Sequence, residues 1–157
     1  MTVPDLTAMG DLELVQAYAP LVVDRDTADI YRGWLARELR VARCDACGHR
    51  FLPPRPICPR CWSQDVGTTA VSGRGTIFLS MALHQGPPAP GVDYAQGPYP
   101  VVTVELDEQP GLRFTSTVVG APIDELVIGR RVVLGWIERN QVPFPVFRLA
   151  DDAGDVS

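Results

Sequence analysis

The spacing of apolar residues changes twice along the chain. Between Asp11 and Tyr18, DLELVQAY reads as a short helix that Pro20 ends. From Thr27, TADIYRGWLARELRVARC opens on a helix-capping residue type and sets Ile30, Tyr31, Trp34, Leu35 and Leu39 at helical spacing. A second helix is therefore expected, feeding a short strand. Beyond Cys61 the texture turns to short runs rich in Val, Thr and aromatics: TTAVS, GTIFLSMALHQ, PVVTVEL, LRFTSTVV, RRVVLGWIER and PVFRL. Gly and Pro turns such as Gly73-Arg74-Gly75 and Pro110-Gly111 separate them. Five or six strands in so short a stretch predict a small closed barrel, for which the oligonucleotide/oligosaccharide-binding (OB) type is the commonest solution of that size. In the fifth run Val132, Leu134 and Trp136 alternate with Val133, Gly135 and Ile137, so both faces are apolar and the strand is expected to be covered on both sides.

Between the helical and the strand-rich regions lies RCDACGHRFLPPRPICPRC, which holds all four cysteines as two C-x-x-C pairs separated by ten residues. A disulfide framework, a redox dithiol and a tetrahedral metal site compete for such a pattern. Redox chemistry uses one reactive pair at a helix N-terminus, whereas here two pairs are flanked by Pro and Gly. Each C-x-x-C turn presents two sulfurs on one knuckle of backbone, and two knuckles facing each other complete a four-thiolate zinc site. Cys44 and Cys47, followed by Gly48, form the first knuckle; Cys58 and Cys61 form the second. One structural zinc is expected. His49 lies beside a shell that four sulfurs already close, so it is read as solvated or supporting.

Composition narrows the function classes. The chain of 157 residues carries 19 acidic and 14 basic side chains, a net charge of −5, which argues against a polyanion as main partner. Every basic residue is Arg, so no Schiff-base lysine exists in this sequence. No apolar run approaches the roughly 18 residues that span a bilayer. The start MTVPDLTAMGDLELVQAY lacks the basic and apolar regions of a signal peptide, and a cytoplasmic location without a membrane partner is expected. That compartment disfavours disulfides and strengthens the metal reading.

Several residues are candidates for contact with a ligand or partner. The Pro- and Gly-rich stretch QGPPAPGVDYAQGPYP from Gln85 to Pro100 interrupts the strands as a long loop, and Tyr94 and Tyr99 within it argue for contact with something. Tyr31 and Trp34 suit either the chain's own core or a partner surface. His84, at the end of an apolar strand, is read as structural in preference to catalytic. Arg55, Arg60, Arg74 and Arg113 are chemically able to meet phosphates, with surface solvation as the default. Glu105, Asp107 and Glu108 read as a solvated strand end.

These residues resemble the zinc-ribbon/OB-fold acyl-CoA-associated proteins, long catalogued as a domain of unknown function. The resemblance runs from about Asp29 to Ala150. It is carried by ELRVARCDACGHRFLPPRPICPRC and the junction VSGRGTIFLS, and less specifically by PYPVVTVELDE, IGRRVVL and FPVFRL. It implies a mainly β chain with an N-terminal helix, in which a rubredoxin-like zinc ribbon precedes a five-stranded OB barrel. The organisation then reads as a helical segment at 1–40, the ribbon at 41–66, the barrel at 67–150 and a disordered tail at 151–157. The resemblance also implies a small subunit of a thiolase-like or lipid-transfer-like catalytic partner, including aldolases that cleave steroid side-chain acyl-CoA thioesters, which helps to shape the CoA-ester site without supplying the nucleophile. The residues agree, because thiolase chemistry needs a free cysteine with a histidine base and all four cysteines are committed. An OB-fold nucleic-acid binder and a free-standing acyl-CoA binder are the alternative readings.

Overall fold

The computed structural model describes residues 8–86 and 92–150; the expected tail at 151–157 and residues 87–91 of the predicted loop lie outside them. Two helices, α1 (Asp11–Tyr18) and α2 (Ala28–Leu35), precede eight strands: β1 (Arg40–Cys44), β2 (Arg50–Phe51), β3 (Val66–Ala70), β4 (Gly75–Leu83), β5 (Tyr99–Leu106), β6 (Arg113–Ser116), β7 (Arg131–Arg139) and β8 (Val142–Leu149). The described chain divides into two units. One holds the residues up to Ser72 together with Trp136–Pro145, and the other holds Gly73–Gly135 and the residues from Val146.

In the first unit, α1 begins where the Glu13 carboxylate accepts the Gly10 amide at 3.1 Å, and Asp11 and Glu13 place negative charge at the helix start. It ends at Tyr18 because Ala19, preceding Pro20, is extended. Helix α2 is started by Asp24, whose carboxylate accepts the amides of Asp26 and Thr27 at 2.9 and 3.0 Å. Thr27 stands at the cap position, but its hydroxyl turns back to accept the Asp24 amide and makes no cap bond. The expected helical face is shorter than its spacing implies. Helix α2 stops at Leu35, Arg37 takes a left-handed conformation (φ 56°), and Leu39 is buried just before β1.

Strand β1 sits between β2 and β3, both antiparallel, with Ala42 opposite Phe51 and the run Arg40–Cys44 opposite Ala70–Val66. The run TTAVS therefore contributes to the ribbon's sheet and not to the barrel.

The second unit carries most of a five-stranded sheet in the order β6-β5-β4-β7-β8. A parallel bridge between Val118 and Phe147 links the segment after β6 to β8, so the sheet curls into a nearly closed barrel. Its strands bury Ile77, Val102, Val104, Leu106, Val132, Val146 and Phe147 almost fully. In VSGRG, Gly75 is required by close approach, because a Cβ there would fall on the Glu105 carbonyl. No helix among the described residues is long and apolar enough to cross a membrane.

Candidate metal centre

The ribbon's apolar cluster consists of Ala42, Cys44, Phe51 and Cys58 with Val66 packed on it, too little to hold three short strands without a cross-link. Around it the two C-x-x-C turns repeat one hydrogen-bond pattern. In the first, the Cys44 amide donates to the His49 carbonyl at 2.9 Å and the Gly48 amide to the Cys44 carbonyl at 2.8 Å. In the second, the Cys58 amide donates to the Ser63 carbonyl at 2.9 Å and the Trp62 amide to the Cys58 carbonyl at 3.0 Å. The leading cysteine of each knuckle, Cys44 or Cys58, is buried, and the trailing one, Cys47 or Cys61, is exposed.

All four sulfurs lie within 4.8 Å of one another. Across the knuckles Cys44 Sγ is 3.5 Å from Cys61 Sγ, and Cys47 Sγ is 3.8 Å from Cys58 Sγ. A tetrahedron with zinc–sulfur bonds of ~2.3 Å has sulfur–sulfur edges of about 3.8 Å, so the cage has the size zinc requires. The Arg60 amide points at Cys58 Sγ at 3.4 Å, a contact that favours thiolate. Burial raises the Cys58 thiol, but hydrogen bonds from the backbone at Cys61 and Arg60 and from the neighbouring thiols outweigh it and bring it down to about 7. The Ser63 backbone lowers Cys61, yet its thiol contacts with Cys44, Cys47 and Cys58 prevail and push it up to about 12. Cys58 and Cys61 are thus pushed in opposite directions by the thiols crowded around them. His49 stacks on Phe51, with ring centroids 6.0 Å apart, and acts as packing beside the cage.

The other candidates disperse. Trp34 is buried among Tyr18, Tyr31 and Phe144, with ring centroids 4.7 to 5.6 Å away, so it belongs to its own unit's core instead of an open surface. Tyr31 is half-buried in the same cluster. His84 is exposed just beyond β4, Tyr99 is half-buried at the start of β5 opposite Leu83, and Arg55 is exposed beside the second knuckle. Tyr94 opens a short 3₁₀ turn, Tyr94–Gln96, with its hydroxyl buried and unpartnered among the described residues. Glu105 and Asp107 are engaged by Arg113 at 3.3 Å and Arg131 at 2.6 Å, while the Arg113 guanidinium also covers the Phe78 ring at 3.5 Å. Trp62 escaped the sequence reading. Its signal was present, since the residue after the second C-x-x-C occupies the place that Gly48 holds in the first.

Comparison with known proteins gives this architecture a family. Residues 33–67 match the rubredoxin-like zinc ribbon domain of ChsH2, and residues 68–136 match the ChsH2 C-terminal OB-fold domain. The chain belongs to the ChsH2 (DUF35) family. The resemblance read from the ribbon and the barrel junction is thereby borne out, as is the mainly β fold with a zinc-ribbon-type module before an OB barrel. A solved structure titled Ltp2-ChsH2(DUF35) aldolase is 36% identical with a TM-score of 0.72, covering 82% of this chain and 98% of that one. A probable enoyl-CoA hydratase alpha subunit of Thermomonospora curvata is 37% identical over 129 residues, 82% of this chain but 39% of that protein. A DUF35 domain-containing scaffold protein of Methanocaldococcus jannaschii is 32% identical over 92 residues, 57% of this chain and 61% of that one. The chain thus spans less than two thirds of the length of these curated relatives. A DUF35 protein of unknown function from Sulfolobus solfataricus shares the fold at 11% identity and a TM-score of 0.55.

Proposed function

We propose that this chain is a zinc-stiffened accessory subunit of an acyl-CoA enzyme, non-catalytic or co-catalytic, that works with a thiolase-like or lipid-transfer-like catalytic subunit. The observation that carries the reading is the gathering of all four cysteines into one cage. It leaves no thiol for acyl transfer in a chain that also has no lysine. The cage would hold one zinc through Cys44, Cys47, Cys58 and Cys61. Bound there, zinc acts as a structural cross-link, because four thiolates leave no open position for substrate. The name of the hydratase relative, an enoyl-CoA hydratase alpha subunit, supports work on CoA thioesters, and the names of the 36%-identical aldolase and of the scaffold relative support work in an assembly.

The chain's own residues then contribute surface, not bond chemistry. An exposed His84 and carboxylates held in ion pairs form no acid/base constellation. Tyr94 and Tyr99 stand on the segment best suited to border a CoA-ester entrance, since each ring buries area while its hydroxyl keeps a polar function. Reactions open to the complex are thiolysis or condensation, acyl transfer, and retro-aldol cleavage of a thioester such as a steroid side chain. Co-expression with a thiolase-like subunit from the same genome tests the reading: a stable complex with about one zinc per chain is expected. Separate elution of the two chains, or a chain purified without zinc and with freely titrating thiols, contradicts it.

A further inference from the structure

The two knuckles are equivalent in hydrogen bonding, and the residue closing each one must be left-handed: φ is 75° at Gly48 and 65° at Trp62. Glycine adopts that conformation freely, whereas a residue bearing a Cβ is strained there. The first knuckle demonstrates that this turn needs no side chain at all. The second nevertheless carries the largest side chain available. That indole does no folding work in exchange, being 80% exposed and making no ring contact among the described residues. An indole is ordinarily well buried, and strain retained at an exposed aromatic points away from folding and towards recognition.

Its surroundings define what it would recognise. Ile57 is 40% exposed, and the bond between the Cys58 amide and the Ser63 carbonyl puts the backbones of Ile57 and Trp62 each one residue from the same link. Pro56 and Pro59 are also exposed on this segment. Arg55 and Arg60 are exposed there too, and neither guanidinium is ion-paired among the described residues. Exposed Trp and Arg within one short segment are the composition of an interface hot spot. We propose that Trp62 and Ile57, rimmed by Arg55 and Arg60, anchor the ribbon in an apolar, carboxylate-rimmed pocket of the catalytic subunit. This rests on the accessory-subunit reading and deepens it by naming the docking surface. Two arginines on a chain of net charge −5 are too few for a nucleic-acid groove, and aliphatic Ile57 has no role in stacking bases.

The test compares zinc-loaded wild-type chain with zinc-loaded Trp62→Gly in titrations against the co-expressed thiolase-like subunit. Zinc content and thermal midpoint should be unchanged or slightly higher in the variant, since glycine relieves the left-handed strain, while affinity should fall by about thirtyfold. Equal affinities overturn the anchor while leaving the accessory role intact. A wild-type chain that does not bind the subunit at all overturns that role, and the anchor with it. Concentration-dependent dimerisation of the wild-type chain that Trp62→Gly abolishes would assign the surface to a second copy, and Trp62-dependent retention of single-stranded DNA would assign it to nucleic acid; either overturns the proposal. Arg55→Glu with Arg60→Glu should slow association at low salt and lose that effect at high salt. A salt-independent result rejects the carboxylate rim.

Discussion

Two turns of the same ribbon perform the same structural task with opposite residues. Cys44–Gly48 and Cys58–Trp62 share the same pair of hydrogen bonds, the same buried-then-exposed pair of sulfurs and the same left-handed closing residue. The first uses the residue that backbone sterics favour, and the second uses an exposed tryptophan that sterics penalise. Because the fold treats the two positions alike, the difference between them isolates what the fold does not require. The knuckles teach that the metal half of the site is symmetric and the surface half is not.

Ligand substitution should bring out the symmetry with the largest effect. Cys44→Ser and Cys58→Ser should each abolish stoichiometric zinc and unfold the ribbon strands β1–β3, because ligation supplies on the order of 10 kcal/mol to modules of this size. Zinc analysis with hydrogen exchange checks this, and a variant that retains full zinc and protection breaks the equivalence of the two knuckles.

Substitution at the closing positions should then bring out the asymmetry. Gly48→Ala should destabilise by about 1–2 kcal/mol through conformational strain alone, because its Cβ would meet nothing nearer than Arg43 at 3.8 Å. Trp62→Gly should cost nothing in thermal or denaturant melts. Similar losses at both sites would mean that the indole supports the fold after all.

Two changes outside the knuckles set the scale for residues that serve folding only. The Tyr18 hydroxyl donates to the Pro143 carbonyl at 3.0 Å within the first unit, so Tyr18→Phe should lose about 1 kcal/mol without altering zinc content or partner affinity. Burial, and then Tyr31, raise the Tyr18 hydroxyl above its ordinary value; burial, and then Asp24, raise Tyr31. The unfolded tyrosines ionise first, near pH ~10, so this stabilisation is complete below that pH and drains away as pH rises towards the folded values. Alkaline melts of wild type and Tyr18→Phe measure it.

The smallest effect belongs to Asp107, held below the usual carboxylate range by its hydrogen bonds from Arg131, with burial opposing. Its contribution is present above the unfolded value of ~3.9 and is lost as pH falls through the folded one. Both partners are more than two-fifths exposed, so Asp107→Asn should change stability by well under ~1 kcal/mol. A larger loss would show that a solvated ion pair matters more here than screening allows.

What the sequence disclosed, and what it hid, follows the range of the forces involved. Cysteine spacing is local, so the cage was legible from Cys44 to Cys61. Helix α1 ended where Pro20 required, and the strand runs after Gly73 carried their turns with them. Long-range pairing was not legible: nothing in TTAVS announces that it joins β1, because its alternation suits either sheet equally. Trp34 shows the same limit, since an aromatic at helical spacing reads alike whether its neighbours are Tyr18 and Phe144 or a partner. The left-handed turn at Arg37 ended α2 before Leu39 without any glycine to mark it. Trp62 was legible in principle, by aligning the two knuckles with each other.

The central claim is that this chain gives an acyl-CoA enzyme structure and a docking surface while another chain performs the chemistry. The most direct measurement is turnover of a CoA thioester by the zinc-loaded chain alone, by the thiolase-like subunit alone, and by the two together. No turnover is expected from the chain alone, and the highest rate, with a stable complex, from the pair. Comparable turnover by the isolated chain would contradict the claim.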